Sequence, residues 1–182
     1  MENKYDPIRY NCHWIRGMSL IATVIVFAIA SMIVASVMLW SPIDNLSRMA
    51  NISMGQLSAI QQTVHSMFAG KSDYAGLTDS VLASSGKLPD NMVNISGTLQ
   101  HAFNGKIVVS TDKDSNKFYV QYNSLPATGC QKLSTMNIGT GLFSITVIGD
   151  DSISVLSRAL TPSEADTVCG TSNNAIIRWT LF

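Results

Sequence analysis

Cys12, Cys130 and Cys169 are the only thiols in the chain, and no two of them form a Cys-x-x-Cys pair. Dithiol exchange and structural zinc both use that spacing, so neither is expected. His13, His65 and His101 are too scattered to complete a metal site. Serine hydrolases present Gly-x-Ser-x-Gly and zinc peptidases His-Glu-x-x-His, and neither motif occurs. Lone polar residues such as His101 and Asp73 therefore read as surface or loop groups, not catalytic ones. Gly76, Gly105 and Gly139 belong to no phosphate-cradling spacing and read as turn residues. Asn51-Ile52-Ser53 and Asn94-Ile95-Ser96 match the N-glycosylation sequon, a short motif of low specificity. No enzyme activity, metal or cofactor is expected, which leaves chemistry done to the chain instead of by it.

The junction Arg16-Gly17-Met18-Ser19-Leu20-Ile21 is the first place for such chemistry. A peptidase at the cytoplasmic face could cut after Gly17, where no side chain obstructs approach to the backbone. The cut would leave Met18 at the tip of an apolar helix. From Gly17 to Trp40 no charged residue occurs, a run long enough to cross a bilayer at ~1.5 Å per residue. Residues 1–17 carry Lys4, Arg9 and Arg16 against Glu2 and Asp6. Positive charge flanking a first span holds that side in the cytoplasm, so everything beyond Trp40 should face outward. A secretory signal has an apolar region of only ~7–15 residues and a small-residue cut after it. Ser41-Pro42-Ile43-Asp44 is no such site. An uncleaved signal anchor is the alternative to cleavage at Gly17.

The second place is the pair of exported cysteines. Cys12 lies in the leader, whereas Cys130 and Cys169 both lie on the oxidising side, where they pair naturally with each other. Closing a loop of about 40 residues should add roughly 3–4 kcal/mol in the chain-entropy picture.

Composition agrees with a membrane-attached domain. The chain has 182 residues, 46% hydrophobic and only 13% charged, with 12 basic against 12 acidic side chains. The length suits one domain plus an appendage. A net charge of zero removes the attraction that drives nucleic-acid binding, and the sparse charge argues against a disordered chain. The mean hydropathy of +0.20 is raised by the one apolar run.

Positioning these sites requires a succession of elements. Pro42 should kink or interrupt the first helix. Beyond it Leu46, Ala50, Met54, Leu57, Ile60, Val64 and Met67 recur at spacings of three and four, an apolar stripe on a helix that ends near Gly70. Asp44, Ser47, Arg48, Asn51, Gln56, Gln61, Thr63 and His65 are placed on the opposite face. Tyr74–Ala83 reads as a short helix and 86–91 as a loop. Lys106–Thr111 and Lys117–Tyr122 form a hairpin with a long turn. Ala127–Met136 is a helix after Pro126, Leu142–Ile148 a strand, and Ala175–Leu181 a final strand. Thr161-Pro162-Ser163-Glu164 is a capping box opening a helix to about Val168. The expected class is α+β: a long N-terminal helix on a mainly antiparallel sheet of about four strands, with short helices and one disulfide.

The Gly-Met-Ser-Leu-Ile junction resembles that of the type IVb pilin family, and the likeness to its bundlin branch extends over nearly the whole chain. It includes Tyr74, Gly76 and Leu77, Pro89-Asp90-Asn91, Phe103 and Gly105, then Leu125, Cys130, Leu133, Asn137 and Gly139-Thr140, and finally Thr161 to Ala165 and Cys169. The resemblance implies a type IV pilin-like fold. Its parts would be a leader at 1–17, an apolar transmembrane and filament-core helix at 18–42, an amphipathic helix at 43–70 and a globular head at 71–182. It implies processing at Gly17 and Met18 by a prepilin peptidase and N-methylase, and the Cys130–Cys169 disulfide. It further implies assembly through Leu20, Ile21, Ala22, Val24, Val26 and Phe27. The partners would be other pilin subunits and the inner-membrane assembly machinery, with storage in the inner membrane before export to an extracellular pilus.

One position departs from the pattern. The family normally has Glu five residues into the mature chain, and Ala22 stands there. In a filament that carboxylate neutralises a neighbour's terminal ammonium, because an unpaired buried charge costs several kcal/mol. Its loss favours a minor or tip subunit. The alternatives are the major pilin of a bundle-forming or conjugative thin pilus, and a signal-anchored accessory or adhesion protein.

Overall fold

The computed structural model describes residues 20–113, 116–150, 152–171 and 173–182, with the backbone alone at 20–22 and 33–44. Two compact units divide the chain, residues 1–42 and 43–182. Helical backbone, α1, runs Leu20–Met67. It continues through Pro42, where the sequence reading expected a kink or an interruption. Proline forfeits one hydrogen bond of the ladder, and the turns on both sides retain theirs, since helix propagation is cooperative. The helix stops where Gly70 turns to φ 81° and the Lys71 amide donates to the Phe68 carbonyl.

In the second unit the expected stripe of α1 faces the core, with Leu46, Met54 and Met67 half-buried. Ala50, Leu57, Ile60 and Val64 have no exposed surface. The buried face is wider than the stripe, because Ser53, Gln56 and Thr63 also lie inside. Gln56 and Thr63 were expected on the solvent side. Gln56 tolerates burial because its Oε1 accepts a hydrogen bond from the Ala102 amide at 3.2 Å, which offsets the desolvation of the amide group.

Five antiparallel strands form one sheet in the order β1-β2-β5-β3-β4. They are β1 (Ile107–Thr111), β2 (Phe118–Leu125), β3 (Leu142–Ile148), β4 (Ile153–Leu156) and β5 (Ala175–Leu181). The alternation read from sequence sends Ile107, Val109, Phe118, Val120, Tyr122, Ile145, Val147, Ile177 and Trp179 into one core with α1. The chain's last strand is the centre of the sheet, hydrogen-bonded to β2 on one side and β3 on the other. Tyr122 ties the sheet to α1: its hydroxyl donates to the Ser53 carbonyl at 2.9 Å.

The sheet thus has a fifth strand that the sequence reading lacked. β4 is short and pairs only with β3, leaving Ile153 and Val155 exposed on an open edge. The expected helix over Tyr74–Ala83 is also shorter. Gly76 takes φ 82°, outside the helical region, and the Thr78 side chain caps a helix, α2, confined to Asp79–Ala83. Asp90–Met92 within the expected loop region makes one 3-10 turn.

Candidate functional site

Two short helices carry Cys130 and Cys169. Helix α3 (Ala127–Ser134) follows Pro126, and α4 (Pro162–Cys169) follows Thr161. Proline suits both places because its missing N–H falls where a helix start has no acceptor for it. At α4 the Thr161 side chain accepts from the Glu164 amide, and the Glu164 carboxylate accepts from the Thr161 amide at 2.7 Å. Arg158 clamps the same carboxylate through two nitrogens, at 2.7 and 2.9 Å. The guanidinium and the Thr161 donors hold the Glu164 carboxyl at about 2, well below its ordinary value. Charge-assisted, two-pronged geometry of this kind fixes the direction in which α4 leaves the loop.

That direction brings Cys169 to Cys130. The two are joined by a disulfide with Cα atoms 5.8 Å apart, and both are fully buried. Gln131 Nε2 donates to Asp166 Oδ1 at 3.0 Å, a second tie between the helices. An open groove of about 330 Å³ runs beside them, walled by Leu46, Gln131, Lys132, Thr135, Pro162 and Asp166 among others.

The first unit offers a different surface. Val24, Val26 and Phe27 of the expected assembly helix are exposed, and so are Ile25, Ile29 and Met32, at 52–76% of their surface. Contiguous apolar exposure on this scale marks a contact surface, with protein or with lipid. Leu20, Ile21 and Ala22 have described backbone only, and Gly17, Met18 and Cys12 lie outside the described residues. Among the described residues no helix is long and apolar enough to cross a membrane. Most of the expected span lies outside those with described side chains.

Of the surface or loop placement expected from sequence, His101 has the loop but not the surface; it is 2% exposed. Its ring stacks on Tyr122 at 4.8 Å. Nε2 donates to the Asn123 carbonyl at 2.9 Å, and Nδ1 accepts from the Phe103 amide at 3.2 Å. This pattern requires the neutral Nε2–H tautomer. A Cβ at position 105 would strike both the Asn123 oxygen and His101 Nε2, so Gly105 is needed for close approach and not merely for a turn. No local signal in the sequence marks this site, because its partners come from β2. Asp73, by contrast, is a loop residue whose carboxylate caps the Ala75 amide. Among the described residues no three metal-ligating side chains gather.

Burial lowers the pKa of His101 below its ordinary value. The unfolded chain therefore binds a proton that the folded chain refuses. Stability should be full above about pH 6.5 and fall as pH drops below it, at up to ~1.4 kcal/mol per pH unit from this group until the folded ring protonates. Urea midpoints measured from pH 7.5 to 5 test this. A His101→Gln variant should flatten that portion of the profile, and an unchanged slope would remove His101 as its source.

Comparison with known proteins agrees with this architecture. The major structural subunit of the bundle-forming pilus of Escherichia coli O127:H6 (strain E2348/69 / EPEC) is 24% identical over 168 residues, covering 85% of this chain and 87% of that one. The protein of the same description from Escherichia coli O111:H- matches at the same identity and coverage. Among solved structures, TcpA, a type IV pilin from Vibrio cholerae El Tor biotype, superposes with a TM-score of 0.55 at 11% identity. That match covers 74% of this chain and 99% of TcpA, and it shows that the fold is that of a type IV pilin. The relatives are structural subunits rather than enzymes. Residues 43–181, nearly the whole of the disulfide-bonded unit, match the family described as Bundlin, and the chain belongs to that family.

Proposed function

We propose that the chain is a structural subunit of a type IVb, bundle-forming type of pilus, assembling through its apolar N-terminal helix. The family match over 43–181 carries the reading. The exposed apolar side chains between Val24 and Met32 support its mechanism. In the inner membrane lipid would cover them; in a filament the helices of neighbouring subunits would, so no net exposure of apolar surface accompanies extraction. The head, with its buried disulfide, is then the exported part, and other subunits, the processing peptidase and the assembly machinery are its partners.

Processing follows from the same reading. The pilus-associated form should begin at Met18, with residues 1–17 removed, as read by intact-mass and N-terminal peptide measurements. A bulky residue at position 17, as in Gly17→Phe, should leave the precursor in the membrane. Normal maturation of that variant would exclude cleavage there and return the signal-anchor alternative.

The subunit's place in the filament turns on Ala22. Without a carboxylate there, a shaft subunit would have nothing at that site to neutralise the amine of a neighbour, whereas a tip subunit has no neighbour to serve. This favours a minor or initiating role; the relatives, described as major structural subunits, favour the alternative. Quantitative mass spectrometry of sheared pili decides between them. A chain forming a small share of pilus mass, with Ala22→Glu raising its incorporation into the shaft, supports the minor role. A chain forming most of the mass refutes that role and leaves the pilin reading intact.

A further inference from the structure

Three Asn-x-Ser sequons occur in the exported unit, and the structure treats them differently. Asn45-Leu46-Ser47 is held in the helical backbone of α1, with Leu46 and Ser47 half-buried. Asn51-Ile52-Ser53 lies within α1, where Ser53 is fully buried and its carbonyl is held by the Tyr122 hydroxyl. Its hydroxyl cannot meet an enzyme while the head is folded. Asn94-Ile95-Ser96 occupies a turn between Val93 and Leu99, which pair across it. Met92 and Leu99 anchor the two ends in the core, while residues 94–98 are all exposed and Ile95 is 109% so.

The carboxamide of Asn94 is also oriented for chemistry. Its Oδ1 accepts from the Ser96 hydroxyl at 2.7 Å, from the Ser96 amide at 3.0 Å and from the Thr98 amide at 3.0 Å. Three donors on the oxygen leave Nδ2 as the outward group. They also stabilise the negative charge that develops on Oδ1 when Nδ2 gives up a proton, as preorganised donors do for any oxyanion. An amide nitrogen is otherwise a poor nucleophile.

We propose that Asn94 is an N-glycan acceptor in the folded head, taking a saccharide from a polyprenyl-diphosphate-linked donor. Nδ2 attacks C1 of the sugar, forming the N–C bond. The bond from C1 to the diphosphate oxygen breaks, and the diphosphate leaves with its electron pair. The proton from Nδ2 passes to a carboxylate of the transferring enzyme. In the cell the reaction requires the head to be exported, so its biological setting rests on the proposed topology; the acceptor geometry does not.

The experiment therefore uses the purified, disulfide-bonded full chain in detergent. It is incubated with a single-subunit oligosaccharyltransferase and polyprenyl-diphosphate N-acetylglucosamine, with an acceptor peptide in the same tube as a control. Trypsin then releases Leu88–Lys106, Met49–Lys71 and Gly17–Arg48, which carry the three sequons separately. The expected result is N-acetylhexosamine on Asn94 in the first peptide, none on Asn51 or Asn45 in the other two, and loss of the modification in both Asn94→Gln and Ser96→Ala. An unmodified Leu88–Lys106 while the control peptide is converted would overturn the proposal, as would equal modification of Asn45 or Asn51. Because no export or assembly is involved, failure here leaves the pilus reading standing, and failure of that reading leaves this result standing.

Discussion

Trp179→Ala should destabilise the head by about 3–5 kcal/mol, the largest effect expected of a single substitution in the core. Trp179 is the bulkiest of the fully buried side chains and sits on β5, the strand on which both halves of the sheet depend. Its ring meets Tyr122 edge-on at 5.0 Å, so removing it opens a cavity beside the hydroxyl that anchors α1. Its indole Nε1 is buried without a hydrogen-bond partner, and an unsatisfied buried donor costs about 1–3 kcal/mol. Trp179→Phe should lose much less than Trp179→Ala, because both delete that donor and the Phe ring leaves only a partial cavity. Urea denaturation of the 43–182 unit, which contains every described core side chain, measures both. Equal losses for Ala and Phe would show that the cavity left by the indole does not govern the position.

Loss of the Cys130–Cys169 bond should cost about 2–5 kcal/mol. The bond closes a loop spanning 39 positions of sequence, which contains β3, β4 and nearly all of α4. Its removal lets that whole segment sample open states before β5 can close the sheet. Cys130→Ser with Cys169→Ser should lower the urea midpoint by that amount and reduce the quantity of subunit recovered from the exported fraction. In the native protein neither thiol should react with an alkylating reagent until the chain is both reduced and unfolded, since both residues are fully buried. Ready alkylation of either without reduction would refute the bond.

Much of this architecture is written in short stretches of sequence. The α4 capping box, the proline before α3, the alternation of β1, β2, β3 and β5 and the stripe on α1 each follow from residues within one or two turns of each other, so local sterics and periodicity suffice to place them. The apolar run after Gly17, the Gly17-Met18 junction and the Ala22 departure are equally properties of sequence alone, and the assembly reading rests on them.

Other features exist only because distant segments meet. β4 is four residues with a single β-branched alternation, too short to declare itself; pairing with β3 through Ile145, Thr146, Val147 and Ile148 makes it a strand. Gln56 and Thr63 carry the polarity of a solvent face, yet the exposure of a side chain depends on what packs above it, and the Ala102 loop covers Gln56. His101 and Gly105 look like ordinary loop residues until β2 supplies the Tyr122 ring and the Asn123 carbonyl. The sequons at Asn51 and Asn94 are alike as sequences; burial of Ser53 and the projecting turn at Asn94 separate them. Sequence by itself determined the helices, most strands, the cysteine pair and the N-terminal apolar run, because short-range backbone and periodicity rules encode them. Tertiary structure decided which polar groups are inside and which are displayed, because burial is set by contacts that no local pattern contains.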